Sequence, residues 1–282
     1  MLLINTIDSL KNYLNSKNNI VFIPTMGSLH EGHIALIELA KEYSDNLVVS
    51  IFVNPLQFSE NEDFDLYPRN FPKDIQLLES LDISNILFIP NIEDLNIGKN
   101  SFAISVPSNI SNILEGSFRK NFLSGMCTII LKFLLLIKPN MIVLGKKDYQ
   151  QMIVIEQMCK NLFLPTKILK CDTKRDISGL AKSSRNVYLN IYEKQEAAIL
   201  YKCLLDIKSK ILSGTDFRFL ETQWINNLEK RNWTVDYLSI RNKYDLSLAD
   251  YLKYKNKISD LVILIAARLG NIRLIDNLEI SN

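Results

Sequence analysis

The chain has 282 residues, 47% hydrophobic and 23% charged, the mix of an ordinary globular protein and not of a fibrous or disordered one. At about 100–200 residues per domain, this length gives one large domain or two modest ones, with enough chain to bury a substantial core. Lys+Arg 33 against Asp+Glu 31 leaves a formal charge of +2, which gives no reason to expect a general nucleic-acid binder and leaves room for a local basic site for one small anion.

Met1-Leu2-Leu3-Ile4-Asn5-Thr6-Ile7-Asp8 has no basic segment leading into a long apolar run, so no signal peptide is expected. Short apolar runs then alternate with helical patterns. The runs predict strands at Ile20–Ile23, Leu47–Val53, Ile86–Ile89, Ala103–Val106, Met141–Leu144 and Thr166–Leu169. Such continuous apolar segments suit strands buried on both faces. Helices are predicted over Glu31–Glu42, Lys73–Ser80, Gly125–Ile137 and Tyr149–Asn161. Strand–helix–strand alternation implies an α/β fold with a parallel sheet and right-handed crossovers. In such sheets ligands bind beyond the carboxyl ends of the strands. After about residue 190 the pattern changes. Helices over Glu193–Leu212 and Phe217–Lys230, with strands at Trp233–Ile240, Leu261–Ala266 and Ile272–Ile275, predict a smaller α+β domain.

Membrane and redox chemistry find little support. The most apolar run, Ile129–Ile137, is broken by Lys132 and is far short of the ~20 residues a membrane helix needs. Cys127, Cys159, Cys171 and Cys203 form no C-x-x-C pair, which argues against a zinc ribbon, a thioredoxin-type site or a disulfide scaffold. A reduced, cytoplasmic protein is expected.

Four polar clusters follow strands. The first is Pro24-Thr25-Met26-Gly27-Ser28-Leu29-His30-Glu31-Gly32-His33. Ser28 and Glu31 have capping-box spacing, which predicts a helix start at Ser28. Free N–H groups and the positive end of the helix dipole would favour a phosphate there. His30 and His33, at i and i+3, would share one face and stay neutral until an anion arrives. Two exposed helix-start histidines are the plainer reading, and H-x-x-H alone is too few ligands for zinc.

The second cluster, Asn54-Pro55-Leu56-Gln57-Phe58, offers neutral donors and acceptors, or is simply a turn closed by proline. An acidic loop follows it. The third is Gly145-Lys146-Lys147-Asp148-Tyr149-Gln150-Gln151. Glycine there lets a ligand approach the backbone. Lys147 can neutralise a phosphate, Asp148 can accept from ribose hydroxyls, and Gln151 would face the same crevice. A solvated Lys–Asp pair is the alternative. The fourth is Gly179-Leu180-Ala181-Lys182-Ser183-Ser184-Arg185-Asn186. Its hydroxyls and guanidinium suit a pyrophosphate, unless the segment is a serine-rich linker.

In this order and at these separations, the four clusters resemble the pantothenate synthetase (pantoate–β-alanine ligase) family of adenylyl-transferring enzymes. The resemblance extends through Val235-Asp236-Tyr237, Ile265–Gly270 and Arg273-Leu274-Ile275-Asp276-Asn277. It implies a Rossmann-like domain over residues 1–174, a smaller α+β lid domain over 175–282, and a homodimer. It implies that pantoate and ATP, accompanied by Mg²⁺, give pantoyl adenylate, from which β-alanine displaces AMP to form pantothenate. Neither nucleic acid nor membrane is an implied partner.

Carried over by position, the resemblance places Met26, Gly27, Ser28, Leu29, His30, Glu31, Gly32 and His33 at the ATP phosphates. It makes His33, His30 and Lys147 catalytic. Gly145, Lys146, Asp148, Lys174, Lys182, Ser183, Ser184 and Arg185 would also bind ATP. Gln57, Gln151 and Asn54 would hold pantoate, Gln57 would also meet β-alanine, and Asp74 is a candidate magnesium contact. The chain departs from the family pattern in places. Lys146 stands where the family usually has Glu, Lys182 where it has Met, and Ser178 where it has Asp. Arg119-Lys120-Asn121-Phe122 stands where it reads Arg-Pro-Gly-His, which sets Phe122 at a position associated with the β-alanine pocket. Arg119, Gly125, Thr128 and Lys132 still fit. Two other readings stay open. One is a related nucleotidyltransferase making a dinucleotide or a CDP-alcohol. The other is a non-catalytic nucleotide-binding protein.

Overall fold

The computed structural model describes residues 1–59, 62, 64–81, 86–98 and 101–280. The chain forms two compact units. Met1–Gly145 with Val154–Asp172 makes the first, and Lys146–Ile153 with Thr173–Asn282 the second.

In the first unit the chain runs β1 (Leu2–Ile4), α1 (Ile7–Leu14), β2 (Val21–Thr25), α2 (Glu31–Lys41), β3 (Leu47–Ile51), α3 (Phe71–Ser80) and β4 (Ile86–Phe88). It continues through short helices α4 (Ser108–Ser111) and α5 (Glu115–Phe118) to α6 (Phe122–Ile137), β5 (Met141–Gly145), α7 (Tyr149–Asn161), whose first five residues belong to the second unit, and β6 (Lys167–Cys171). All six strands pair in parallel, in the order β1-β4-β3-β2-β5-β6. From β2 the chain moves outward through β3 and β4, then returns to lay β5 on the other side of β2. The order therefore reverses beside β2, where the carboxyl ends at Thr25 and Gly145 flank the place at which parallel sheets bind ligands.

The second unit holds α8 (Ile191–Ala197), α9 (Ile199–Leu212), α10 (Phe217–Glu229), β7 (Trp233–Asn242), the short α11 (Tyr251–Tyr254), β8 (Leu261–Leu269) and β9 (Ile272–Glu279). Its three strands are antiparallel in the order β7-β8-β9. One apolar cluster, with Leu204, Ile207, Phe217, Leu220, Ile263 and Ile265 at its centre, closes the helices onto this sheet.

Several expected elements shift. Ala103–Val106 is not a strand. Its backbone hangs on helix α6 instead, Ile104 N–H donating to Thr128 Oγ1 (2.9 Å) and Val106 N–H to Ser124 Oγ (3.4 Å). β6 runs two residues further than the apolar pattern because it is an edge strand, where Lys167 and Lys170 are tolerated. The helix expected over Glu193–Leu212 is two helices with Ala198 between them. α6 begins three residues earlier than expected, at Phe122. β1 and α1 went unread, β1 being only three residues long. Of the acidic loop, residues 60, 61 and 63 lie outside the described residues. The four cysteines are free and buried. Among the described residues no helix is long and apolar enough to cross a membrane.

Candidate active site

Strand β2 ends in a turn with two successive left-handed residues, Gly27 (φ 81°) and Ser28 (φ 51°). Glycine is required at the first, since a Cβ would lie 3.0 Å from Ile51 Cγ2 and 3.1 Å from Asp74 Oδ2. A serine holds such a backbone only where its surroundings impose it. Here Asp74, on α3, imposes it. Ser28 N–H donates to Asp74 Oδ2 (2.8 Å) and Leu29 N–H to Oδ1 (2.7 Å). Gly27 N–H donates to Thr25 Oγ1 (3.2 Å), whose hydroxyl donates to Ser50 O (2.7 Å). Burial pushes the Asp74 carboxyl above its usual range, against the pull of the two backbone N–H groups and of Lys73.

Helix α2 starts at Glu31 and not at Ser28, because His30 is its cap. Gly32 N–H donates to His30 Nδ1 (3.0 Å), and His30 N–H donates to His33 Nδ1 (3.3 Å). This is a capping box built from two imidazoles. A ring nitrogen that accepts holds no proton, so each neutral ring carries its proton on Nε2. The ring centroids are 4.2 Å apart. His33 N–H and Ile34 N–H both turn to the His30 carbonyl (2.8 and 3.1 Å). The backbone donors of His30, Gly32, His33 and Ile34 are thus engaged inside the turn, contrary to the expectation of open N–H groups for phosphate. Both rings are held at the positive end of the helix.

The second cluster is bracketed by α6. Asn54 Oδ1 accepts from Leu56 N–H (3.1 Å), while Asn54 Nδ2 donates to Gln57 Oε1 (3.0 Å) and Gly125 O (3.1 Å). Asn54, 2% exposed, therefore holds Gln57. Gln57 Nε2 donates to Met26 Sδ (3.1 Å). A thioether is a weak acceptor, so this bond holds the Gln57 amide only loosely. Gly125 permits this arrangement, since a Cβ there would sit 2.0 Å from Leu56 O. Arg119 forks onto Glu62 (2.7 and 2.9 Å), donates to Gln57 O (3.4 Å), and lies 3.6 Å over the Phe122 ring. Phe122 is only 1% exposed and acts as the floor under Arg119.

In the second unit, Lys146–Asp148 form a tight 3-10 turn leading into α7. Lys146 Nζ pairs with Glu279 (2.9 Å), and Tyr149 OH donates to the other Glu279 oxygen (2.7 Å). Burial favours the neutral Glu279, but Lys146, Tyr149 and the charge of Lys243 outweigh it and hold the carboxyl below its usual range. Gln151 Nε2 donates to Asp148 Oδ1 (2.9 Å), which brings together two residues assigned to different substrates. Lys182 N–H donates to Lys174 O (2.9 Å), so these lysines face across a tight reversal. Ser183 caps the following 3-10 segment Ser184–Tyr188, its Oγ accepting from Arg185 N–H (3.3 Å).

The sequence reading gave Arg175, Asp276, Asn277 and Glu279 no role. Arg175 meets Asp276 with two bonds (2.6 and 2.8 Å) and also donates to Gly179 O (3.0 Å) and Asn277 O (3.2 Å). The available signal was two consecutive polar residues inside an apolar strand. Among the described residues, no group of three or more His, Cys, Asp or Glu is placed to hold a metal. Both Asp74 oxygens are engaged by the turn.

A family model described as Pantoate-beta-alanine ligase matches residues 2–279 of the chain. Pantothenate synthetase from Thermus thermophilus is 32% identical, with a TM-score of 0.92 over 100% of both chains. Pantoate-beta-alanine ligase from Francisella tularensis, solved with beta-gamma ATP and beta-alanine, is 36% identical. Its TM-score is 0.77, over 99% of this chain and 97% of that one.

Proposed function

Because the chain belongs to the pantoate–β-alanine ligase family, we propose a residue-level course for its reaction. The activity is the ATP-dependent condensation of pantoate with β-alanine. In the first step the pantoate carboxylate attacks the α-phosphorus of ATP. The bond to the β-phosphate oxygen breaks, and pyrophosphate leaves. In the second, the neutral amine of β-alanine attacks the acyl carbon of pantoyl adenylate. The amine loses a proton and AMP departs with the bridging oxygen.

Gln57 and Gln151 orient the pantoate without a charge that would blunt its carboxylate as a nucleophile, and Asn54 keeps Gln57 in place. Gln57 also meets β-alanine. His33, His30 and Lys147 stabilise charge as it develops on the phosphate oxygens. Ser183, Ser184 and Arg185, with Lys174 and Lys182 beside them, take the β- and γ-phosphates. Asp148 accepts from the ribose. Among the described residues a Cβ at Gly145 would make only ordinary contact, with Leu36 (3.7 Å), which leaves room for a close approach of the nucleotide to the backbone. Lys146 serves this site through its ion pair with Glu279. Magnesium would accompany the nucleotide and neutralise charge on its phosphates, with Asp74 the candidate protein contact. Homodimer formation and a cytoplasmic location belong to the same proposal, the former open to analytical ultracentrifugation.

The observation that carries this course is the imidazole capping box. It fixes both rings at a helix start, where the positive end of the dipole favours an attacked phosphate. The test is isotopic. Pantoate labelled with ¹⁸O in its carboxylate should pass one labelled oxygen to AMP. AMP free of label would overturn the adenylate route.

A further inference from the structure

Segment Arg273–Asn277 plays no part in the course above. We propose that strand β9 positions the nucleotide-binding residues of the second unit, and that Asn277 is the positioning residue that sets the Lys146–Asp148 turn. The inference rests on the assignment of Lys147 and Asp148 to ATP.

Successive residues of a strand point to opposite faces. Asp276 lies on the face of β9 that also carries Leu274 of the apolar cluster and Leu278, which packs against it. From there it grips Arg175, whose neighbours Lys174 and Lys182 lead into Ser183–Arg185. Asn277 and Glu279 lie on the other face. Asn277 Nδ2 donates to both Lys146 O and Lys147 O (2.9 Å each). Glu279 takes the Lys146 ammonium and the Tyr149 hydroxyl. One amide group thereby fixes two consecutive carbonyls, and with them the peptide planes on either side of Lys147. Asn277 is held in turn, its N–H donating to Asp276 Oδ1 (2.8 Å) and its carbonyl accepting from Arg175 (3.2 Å). Asn277 is 5% exposed, so water does not compete freely for these bonds.

Asn277→Asp separates positioning from filling. The carboxylate has the same shape but cannot donate to carbonyls. In the full-length protein, steady-state AMP release is measured while ATP, pantoate and β-alanine are varied in turn, and ATP binding alone is measured by calorimetry. Asn277→Asp and Asn277→Ala should raise KM and Kd for ATP by about tenfold or more, the scale of sub-ångström misplacement. The KM for β-alanine should stay within about twofold of wild type. An unchanged Kd for ATP in a folded variant overturns the proposal. So does a uniform rise of all three KM values. Should both variants fail to fold, Glu279→Gln, on a partly exposed side chain, reads the same turn, and an unaltered Kd for ATP there is equally fatal. Wild-type protein that binds ATP yet releases no AMP would defeat the reaction course instead, while the binding comparison still decides the role of Asn277.

Discussion

His30 and His33 cap the same helix start with each other, His30 accepting from Gly32 N–H and His33 accepting from the N–H of His30. Each ring therefore spends Nδ1 on the cap, and substitution can separate that structural task from the chemical role proposed for the ring. His30→Asn should keep the cap, since asparagine is among the best N-cap residues, whereas His30→Ala should cost about 0.5–2 kcal/mol. Both should lose turnover. His33→Ala should lower the rate by about 10²–10⁴-fold. Urea midpoints and AMP release measured on the same samples check this. A fully active His30→Asn would refute any chemical role for that ring.

Asp74 binds two backbone N–H groups with its two oxygens. Asp74→Asn leaves one buried donor facing an NH₂ group, at a cost of about 1–3 kcal/mol, and loosens the Gly27–Leu29 turn. Activity at saturating Mg·ATP should fall by about tenfold, on the tenfold-per-1.4 kcal/mol scale, and extra Mg²⁺ should not restore it. Rescue by magnesium would make Asp74 a metal ligand instead.

At Gly125 a single methyl group would collide with the carbonyl of Leu56 at 2.0 Å. Gly125→Ala should destabilise by about 1–3 kcal/mol or more and raise the KM for pantoate, because the displaced loop carries Gln57. A wild-type melting temperature with unchanged pantoate kinetics would contradict this.

Glu279 sits below its ordinary pKa of 4.5. A carboxyl with a lowered folded value contributes stability that is fully present above the unfolded value and is lost as pH falls through the folded one. Glu279→Gln should therefore destabilise at neutral pH and flatten the acid limb of the stability curve below about pH 4.5. Denaturant titrations across that range would show a wild-type slope in the variant if the residue were idle.

The sheet was legible because its inner strands β2, β3, β4 and β5 are short, mostly buried apolar runs, and the candidate site residues were picked out because polar clusters follow strand ends. What the sequence hid was long-range. Nothing near Ser28 announces that Asp74, 46 positions away, sets its backbone. The S-x-x-E spacing pointed to Ser28 as the cap, yet the left-handed turn hands that task to His30. Ala103–Val106 has strand composition, but side chains of α6 satisfy its N–H groups before any neighbouring strand can. Nothing in Asn54-Pro55-Leu56-Gln57 announces that Asn54 also bonds Gly125 O, 71 positions away.

The backbone passes between its compact units at three peptide bonds, Gly145–Lys146, Ile153–Val154 and Asp172–Thr173. No single cut can liberate either piece. A gene fragment stopping at Asp172 would carry the lysine turn but lack Asn277 and Glu279, which anchor it. Dissection of this enzyme calls for splicing, with Lys146–Ile153 grafted onto the carboxyl-terminal half.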